Sequence, residues 1–225
     1  MSAVEFRPEF VGIEADISFG GLGDLASVWG CGDAADVDAE PEAHAQAADV
    51  TDAAAVVRGG RERGLVLHKL MEEVLTGETP DDLASLTVRS EQLIRQLGLA
   101  PSSDPADGLS PQELAGTVVR TLALSEVATV RARLVPECPI HASTPEGAAE
   151  RIVSGIADAL AVEADTSVSL AIDWKSDVDP ALAVIEHYRA QLSEYLSATG
   201  AARGLIILMT TGRVVKVTGL SSART

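Results

Sequence analysis

The stretch Gly155–Lys175, GIADALAVEADTSVSLAIDWK, decides the fold. It predicts two strands joined by a tight turn at residues 164–167, because apolar residues are dense on both sides of this polar break. A carboxylate is costly in such apolar strands unless it is paired or bound to a metal. Asp158 nonetheless interrupts the first strand, and Asp173 interrupts the second. The two acids are therefore candidates for a functional site.

Lys175 belongs with these two acids. Strand side chains alternate between faces, so Asp173 and Lys175 project from the same face, and a hairpin closed at the turn brings Asp158 alongside them. Two carboxylates and one ammonium group would hold a divalent cation by hard oxygen ligands beside a water or a phosphate. The alternative interpretation of the same three residues is an ordinary salt bridge at a strand end.

Composition limits the class of protein. The chain has 225 residues, of which 46% are hydrophobic, enough for one domain with a core plus extra segments. It contains neither an apolar run of membrane-spanning length nor a signal sequence at the N-terminus, which predicts a soluble, cytoplasmic protein with no membrane partner. Cys31 and Cys138 are far apart and are expected to be free thiols rather than a disulfide or a zinc site.

Charge is distributed unevenly along the chain. The net charge of -17 argues against a protein that binds nucleic acid by itself, since that affinity normally comes from Lys and Arg. Between Arg7 and Arg58 there is no Lys or Arg, and eleven acids lie there. Residues 1–57 are therefore predicted to be an acidic, Ala-rich, flexible N-terminal segment that carries much of the negative charge.

Apolar periodicity predicts an amphipathic helix at Arg61–Thr76, ended by Gly77. His68 lies on this helix, where periodicity alone favours a satisfied or solvated histidine. Glu72, one turn further on, can pair simply with Lys69.

Capping signals predict two more helices, one with Thr79 as its N-cap and one opened by a capping box at residues 110–113. A strand over residues 130–143 follows and carries Glu137 between two prolines, which restrict it to a sheet edge or a strand end. A long helix over residues 180–199 and a final hairpin complete the order. The order predicts an α/β fold in which a mixed sheet is flanked by helices.

The chain lacks several common catalytic signatures. It has no glycine-rich phosphate loop and therefore no ATP motor of its own. The GxSxG and HExxH patterns and cysteine pairs with zinc spacing are also missing from the sequence.

Five stretches together resemble the PD-(D/E)xK nuclease domain of the RecB/AddA type, the C-terminal domain of UvrD-like helicase-nucleases that process double-strand breaks in bacteria. They occur in the family's order and approximate spacing and read RGLVLHKLMEEVL, LVPECP, GIADAL, AIDWKSD and HYRAQLSEY. The resemblance covers about residues 58–217. It implies a restriction-endonuclease-like mixed β-sheet flanked by helices, with a nuclease domain at residues 58–220 and a disordered C-terminus at residues 221–225.

The resemblance also implies a set of site residues. The metal ligands would be the side chains of His68, Asp158 and Asp173 and the main-chain carbonyl oxygen of Trp174. This reverses the interpretation of His68 that periodicity favours.

Four further positions match family motifs. Lys175 would be the catalytic lysine, and Glu137 would support metal binding or orient the water. Gln191 and Tyr195 match the family's QxxxY motif, which contacts DNA or braces the active site.

The implied activity is a Mg2+-dependent deoxyribonuclease, favoured as an exonuclease, in DNA double-strand-break repair or recombination. Mn2+ should substitute for Mg2+, and Ca2+ should bind but support little turnover. With two cysteines, no iron-sulfur cluster is expected. The expected partners are DNA and a UvrD-like helicase subunit or domain, and the chain would be a detached domain, a split-gene subunit or a truncated remnant. Two alternatives stay open: a DNA-end-binding or regulatory module with weak catalysis, and an unrelated Mg2+-dependent phosphohydrolase.

Overall fold

The computed structural model describes residues 57–146 and 149–219. The predictions for the N-terminal segment, for Cys31 and for residues 221–225 lie outside these ranges, apart from Val57. Within them the helical part comes first. Its elements are α1 (Arg61–Thr76), α2 (Leu83–Gln96), α3 (Pro111–Ala123), the short α4 (Ser125–Ala128) and a 3-10 turn (Arg131–Arg133).

A five-stranded sheet with one long helix follows. Its elements are β1 (Leu134–Glu146), β2 (Ala149–Val162), β3 (Val168–Lys175), α5 (Leu182–Thr199), β4 (Arg203–Leu208) and β5 (Arg213–Thr218). The strands lie in the order β1-β2-β3-β4-β5, and only the β3–β4 pair is parallel. A parallel pair needs a crossover connection, which α5 provides. The arrangement confirms the predicted restriction-endonuclease-like α/β fold, and β1 lies at the sheet edge as its prolines indicate.

The two faces of the sheet carry separate hydrophobic cores. In β3, Leu170, Ile172 and Trp174 pack in a first core with α1, α2 and α3, whereas Ala171 packs in a second core under α5. A strand covered on both faces has apolar residues at successive positions, which explains the near-continuous apolar run of β3. Among the described residues, no helix combines the length and apolar character needed to cross a bilayer.

The predicted N-cap of α2 is wrong. Asp82 is the N-cap, because its carboxylate accepts a hydrogen bond from the main-chain N–H of Ser85 at 2.9 Å. Thr79 instead donates its hydroxyl to the Glu73 carboxylate at 2.8 Å. The Glu73 carboxylate also forms two bonds with Arg89, at 2.8 and 2.6 Å, so a buried charge on α1 is fully paired.

The predicted capping box of α3 is also wrong. Ser110 makes no side-chain cap hydrogen bond within the described part of the chain. Glu113 reaches away from its own N-terminus and accepts from Arg63 at 2.8 Å and from Thr117 at 2.7 Å. Arg63 is 1% exposed and also donates a hydrogen bond to the Thr210 hydroxyl. Arg63 therefore links α1 both to α3, through Glu113, and to the segment after β4, through Thr210.

Two predicted boundaries shift by a few residues. Strand β1 begins at Leu134 rather than at residue 130, because Arg131–Arg133 forms a 3-10 turn. Helix α5 begins at Leu182 rather than at residue 180 and ends, as predicted, at Gly200 in the left-handed conformation with φ 72°. Neither shift moves a predicted site residue into another element.

Candidate active site

The candidate site lies where β2 separates from β3. The ladder between the two strands ends at the pair Ala159–Ile172, and β2 beyond this point is paired with β1 alone. Asp158 is the next residue of β2, and its Oδ2 accepts a hydrogen bond from the main-chain N–H of Trp174 at 2.6 Å. A carboxylate therefore takes the place of the next main-chain acceptor in the ladder. This fixes Asp158 beside the end of β3, as the hairpin prediction requires.

Strand β2 changes face at the same point. Ala159 and Ala161 pack in the first core, but Ala157, which strict alternation would place with them, packs in the second. The flanking register places Glu137 of β1 opposite Asp158, and Glu137 has a φ of 51°. A residue other than glycine in this left-handed region costs about 1–2 kcal/mol. Such strain concentrates at functional sites, where the surrounding structure holds it in place.

Helix α1 brings His68 to these two acids. His68 Nδ1 lies 3.5 Å from Asp158 Oδ1, and the imidazole is 24% exposed. One ligand atom each of His68, Glu137 and Asp158 can be chosen so that all three lie within 4.8 Å of one another. Gly64, one turn earlier on α1, lies close to the residue that follows β3, because a Cβ there would lie 3.1 Å from Ser176 Oγ. An imidazole and two carboxylates form a donor set suited to a divalent cation.

Asp173 and Lys175 form the other half of the cluster. Lys175 Nζ lies 3.0 Å from Asp173 Oδ1, which is the salt bridge of the alternative interpretation. Asp173 is only 6% exposed, and its Oδ2 has no hydrogen-bond partner among the described residues. A buried carboxylate oxygen without a partner is costly, and a bound cation would remove that cost. Asp173 is not part of the His68–Glu137–Asp158 group, so that group alone provides the donor set that fits a divalent metal ion, and the role of Asp173 as a ligand stays a prediction.

His68 and Asp158 each stabilise the charged form of the other. Burial lowers the pKa of His68, but the Asp158 charge and hydrogen bond outweigh burial, so the pKa is raised. Burial likewise raises the pKa of Asp158, but His68, Lys175 and the Trp174 N–H together lower it further. Asp158 is therefore the stably ionised carboxylate of the cluster.

The pKa values of Asp173 and Glu137 are raised, in contrast to that of Asp158. Burial, followed by repulsion from Asp158, raises the pKa of Asp173 to about 7. The same two causes, in the same order, raise the pKa of Glu137 to about 7. Burial lowers the pKa of Lys175, but attraction to Asp173 and Asp158 outweighs it and raises the value. Two carboxyl groups that titrate near neutrality beside a cationic lysine are typical of functional sites.

Helix α5 places Tyr195 against Gly155 of β2, three residues before Asp158. A Cβ at Gly155 of β2 would lie 2.6 Å from Tyr195 Oη, so only glycine leaves room for this ring. Burial raises the pKa of Tyr195, and a hydrogen bond from Gln191 opposes that shift. These contacts agree with a bracing role for the pair, and contact with DNA stays a prediction.

The side chain and the main chain of Trp174 have different roles, which the sequence does not distinguish. Its indole is buried in the first core, and its main-chain N–H holds Asp158. The role of its carbonyl oxygen as a metal ligand stays a prediction.

Sequence reasoning missed Tyr188 as part of the site. Helical periodicity places its ring on the apolar face of α5, but the ring centroid lies 4.5 Å from Lys175 Nζ. Its hydroxyl donates to Asp177 Oδ2 at 3.0 Å. The available signal was its position three residues before Gln191, since residues three apart are neighbours on a helix surface.

Comparison with known proteins adds little to this geometry. No family model and no curated protein matches the chain. Among solved structures, the crystal structure of SSO0001 aligns with 71% of this chain and 79% of its own, at 20% identity and with a TM-score of 0.35. A likeness this weak carries no argument about the fold or the function.

Proposed function

We propose that the chain is a metal-dependent DNA nuclease of the RecB/AddA type, acting in double-strand-break repair or recombination. The observation that carries the proposal is the juxtaposition of the His68–Glu137–Asp158 donor set with Asp173 and Lys175 at the end of β3. This constellation combines oxygen and imidazole donors with one fixed positive charge. Such groups can stabilise the transition state of phosphodiester hydrolysis, and the resemblance of the motifs to the nuclease family points to the same reaction.

The side chains that would hold Mg2+ are His68, Glu137 and Asp158, with the orphaned oxygen of Asp173 as a further donor. Bound there, the ion would polarise a phosphate oxygen and lower the pKa of a coordinated water. Mn2+ fits the same mixed donor set, and Ca2+ would bind with looser geometry.

Lys175 supplies charge to the transition state. Cleavage builds negative charge on the phosphoryl oxygens and on the leaving oxygen, and a preorganised cation stabilises that charge. Lys175 stays protonated at neutral pH, because its acidic neighbours raise its pKa. Its salt bridge with Asp173 Oδ1 holds the ammonium close to the metal ligands.

Glu137 would complete the metal-binding set, because its carboxylate belongs to the same group of ligand atoms as those of His68 and Asp158. Without a metal, burial and then repulsion from Asp158 raise its pKa to about 7. A cation bound at this site would favour the ionised carboxylate. The left-handed backbone of Glu137 is held there at a conformational cost.

The acidity of the chain favours a partner that delivers the DNA. With a net charge of -17, the chain as a whole repels a polyanion. We propose that a UvrD-like helicase subunit or domain supplies the strand, and that the chain forms the nuclease module of that assembly.

The test is digestion of end-labelled linear single- and double-stranded DNA with Mg2+ or Mn2+. We expect metal-dependent cleavage by the wild type and its loss in Lys175→Ala and Asp173→Ala. Lys216→Ala is the matched control, because it removes the same charge from a lysine whose side chain is 72% exposed. If a folded wild type cleaves no DNA, even with a UvrD-like helicase added, the proposal is wrong. Cleavage of a small phosphomonoester without DNA cleavage would point instead to the phosphohydrolase alternative.

A further inference from the structure

Lys175 is held by two contacts from different elements. Its Nζ lies 3.0 Å from Asp173 Oδ1 in its own strand and 4.5 Å from the ring centroid of Tyr188 on α5. A free lysine side chain samples many rotamers, and fixing it costs conformational entropy. The carboxylate fixes the end of the side chain, and the ring covers one of its sides, so the ammonium is restricted to one place.

Tyr188 is itself held firmly. It packs against the second core, in which Ile185 and Leu192 of the same helix are buried. Its hydroxyl donates to Asp177 Oδ2 at 3.0 Å, and Asp177 lies two residues after Lys175. The ring is thus tied to the segment that carries the lysine. A hydrogen bond from a phenol to a carboxylate also adds electron density to the ring, which strengthens its attraction for a cation.

We propose that Tyr188 is a positioning residue that holds the Lys175 ammonium for the reaction at the His68–Glu137–Asp158 site. This inference rests on the proposed nuclease function. An aromatic ring attracts a cation without adding a negative charge, unlike a second carboxylate. Tyr188 can therefore orient Lys175 while leaving its positive charge available for a phosphate.

The contact can be measured without any enzymatic activity. The chain has three lysines, Lys69, Lys175 and Lys216, so protein labelled with 13C-lysine gives a simple spectrum that Lys175→Ala assigns. We expect the Hε protons of Lys175 to be shifted upfield by the Tyr188 ring. The shift should persist in Tyr188→Phe and disappear in Tyr188→Leu. An unshifted Lys175 in the wild type, or a shift that survives Tyr188→Leu, would overturn the proposal.

Kinetics test the consequence for the reaction. We expect Tyr188→Leu to lower kcat for DNA cleavage about tenfold with little change in KM, and Tyr188→Phe to restore kcat to within about twofold. Ile185→Val, one turn away in the same core, is the matched control. It should lower the urea midpoint but leave kcat and the Lys175 signal unchanged.

The outcomes separate this inference from the proposed function. A wild type that cleaves DNA, combined with a fully active Tyr188→Leu variant, would overturn the positioning role and leave the nuclease intact. A wild type that shows the upfield Lys175 signal but cleaves no DNA would overturn the nuclease and leave the positioning of Lys175 by Tyr188 supported.

Discussion

Glu73 and Asp173 are two buried carboxylates, 2% and 6% exposed, that differ in how completely they are hydrogen-bonded. Glu73 on α1 receives two bonds from Arg89 and one from Thr79. Asp173 on β3 is paired with Lys175 through one oxygen, and its other oxygen has no partner among the described residues.

The two groups respond differently to burial. Burial raises the pKa of both, but the hydrogen bonds from Arg89 and Thr79 outweigh it at Glu73, where the pKa is lowered. At Asp173, repulsion from Asp158 adds to burial, and the pKa rises to about 7. A buried acid whose bonds are complete stabilises the fold, whereas one whose bonds are incomplete costs stability and is available to bind a ligand.

The largest expected effect comes from Asp173→Asn. We expect DNA cleavage with Mg2+ to fall about a thousandfold, because the proposed function places the Asp173 carboxylate beside the metal and the phosphate. The free energy of unfolding should stay the same or rise at neutral pH, since a costly buried charge disappears. Cleavage rates and urea unfolding of the same preparation check both parts. A marked loss of stability would mean that Asp173 is a structural acid like Glu73.

Glu73→Ala should show the reverse pattern. We expect it to lower the free energy of unfolding by about 3 kcal/mol, because it leaves Arg89 without its buried partner. Cleavage per folded molecule should be unchanged. The control is Glu91→Ala, which breaks an exposed pair with Arg95 and should cost less than about 1 kcal/mol. Equal losses in the two variants would show that the burial of Glu73 is unimportant.

The pH dependence of stability should distinguish the same two acids. In metal-free buffer, folded Asp173 keeps its proton up to about pH 7, whereas the unfolded chain loses it near its ordinary value of 3.8. The stability that protonation provides is therefore present below about pH 4 and is lost as the pH rises through 7.

Glu73 behaves in the opposite sense, because its folded pKa is lowered. Its contribution is present above its ordinary pKa of 4.5 and is lost as the pH falls through the folded value.

The raised pKa of Asp173 can be tested by comparing the wild type with Asp173→Asn. Relative to this variant, the free energy of unfolding of the wild type should fall by up to about 1.4 kcal/mol per pH unit between pH 4 and 7. Urea unfolding of both proteins across this range measures the difference, and parallel curves would contradict the prediction.

The smallest expected effect comes from Thr79→Val, which makes Glu73 slightly more like Asp173. Removing one hydrogen bond to a buried carboxylate should cost about 1–2 kcal/mol of stability. The pKa of Glu73 should rise, because the hydroxyl helps to lower it. Urea unfolding and 13C NMR titration of the Glu73 carboxyl carbon check the two effects. An unchanged pKa would show that Arg89 alone controls this acid.

Local patterns make most of the fold predictable. The β2–β3 hairpin and helices α1 and α5 follow from apolar periodicity and turn residues, which act over a few neighbouring positions. The alternation of side chains along a strand likewise predicts that Lys175 lies beside Asp173. The predicted caps at Thr79 and Glu113 are wrong because both side chains are engaged by charged groups elsewhere in the fold.

The site is predictable only in part, because half of it depends on long-range packing. Periodicity gives His68 no role, and only the resemblance to the nuclease family assigns it one. No sequence pattern shows that Glu137 adopts a positive φ opposite Asp158, or that the Tyr188 ring covers Lys175. These features arise where strands bend and a helix docks.

The separation of His68 from the hairpin in the chain has a consequence for folding kinetics. Asp158 and Trp174 are only 16 residues apart in a local hairpin, whose ends meet at little entropic cost. His68 is separated from them by all of α2, α3, α4 and β1, and contacts between distant parts of a chain form slowly. We therefore expect Asp158 and the end of β3 to come together early, and His68 to join them late, when α1 docks. A partly folded chain would then present carboxylates without the imidazole, so the complete donor set would form only with the last tertiary contacts.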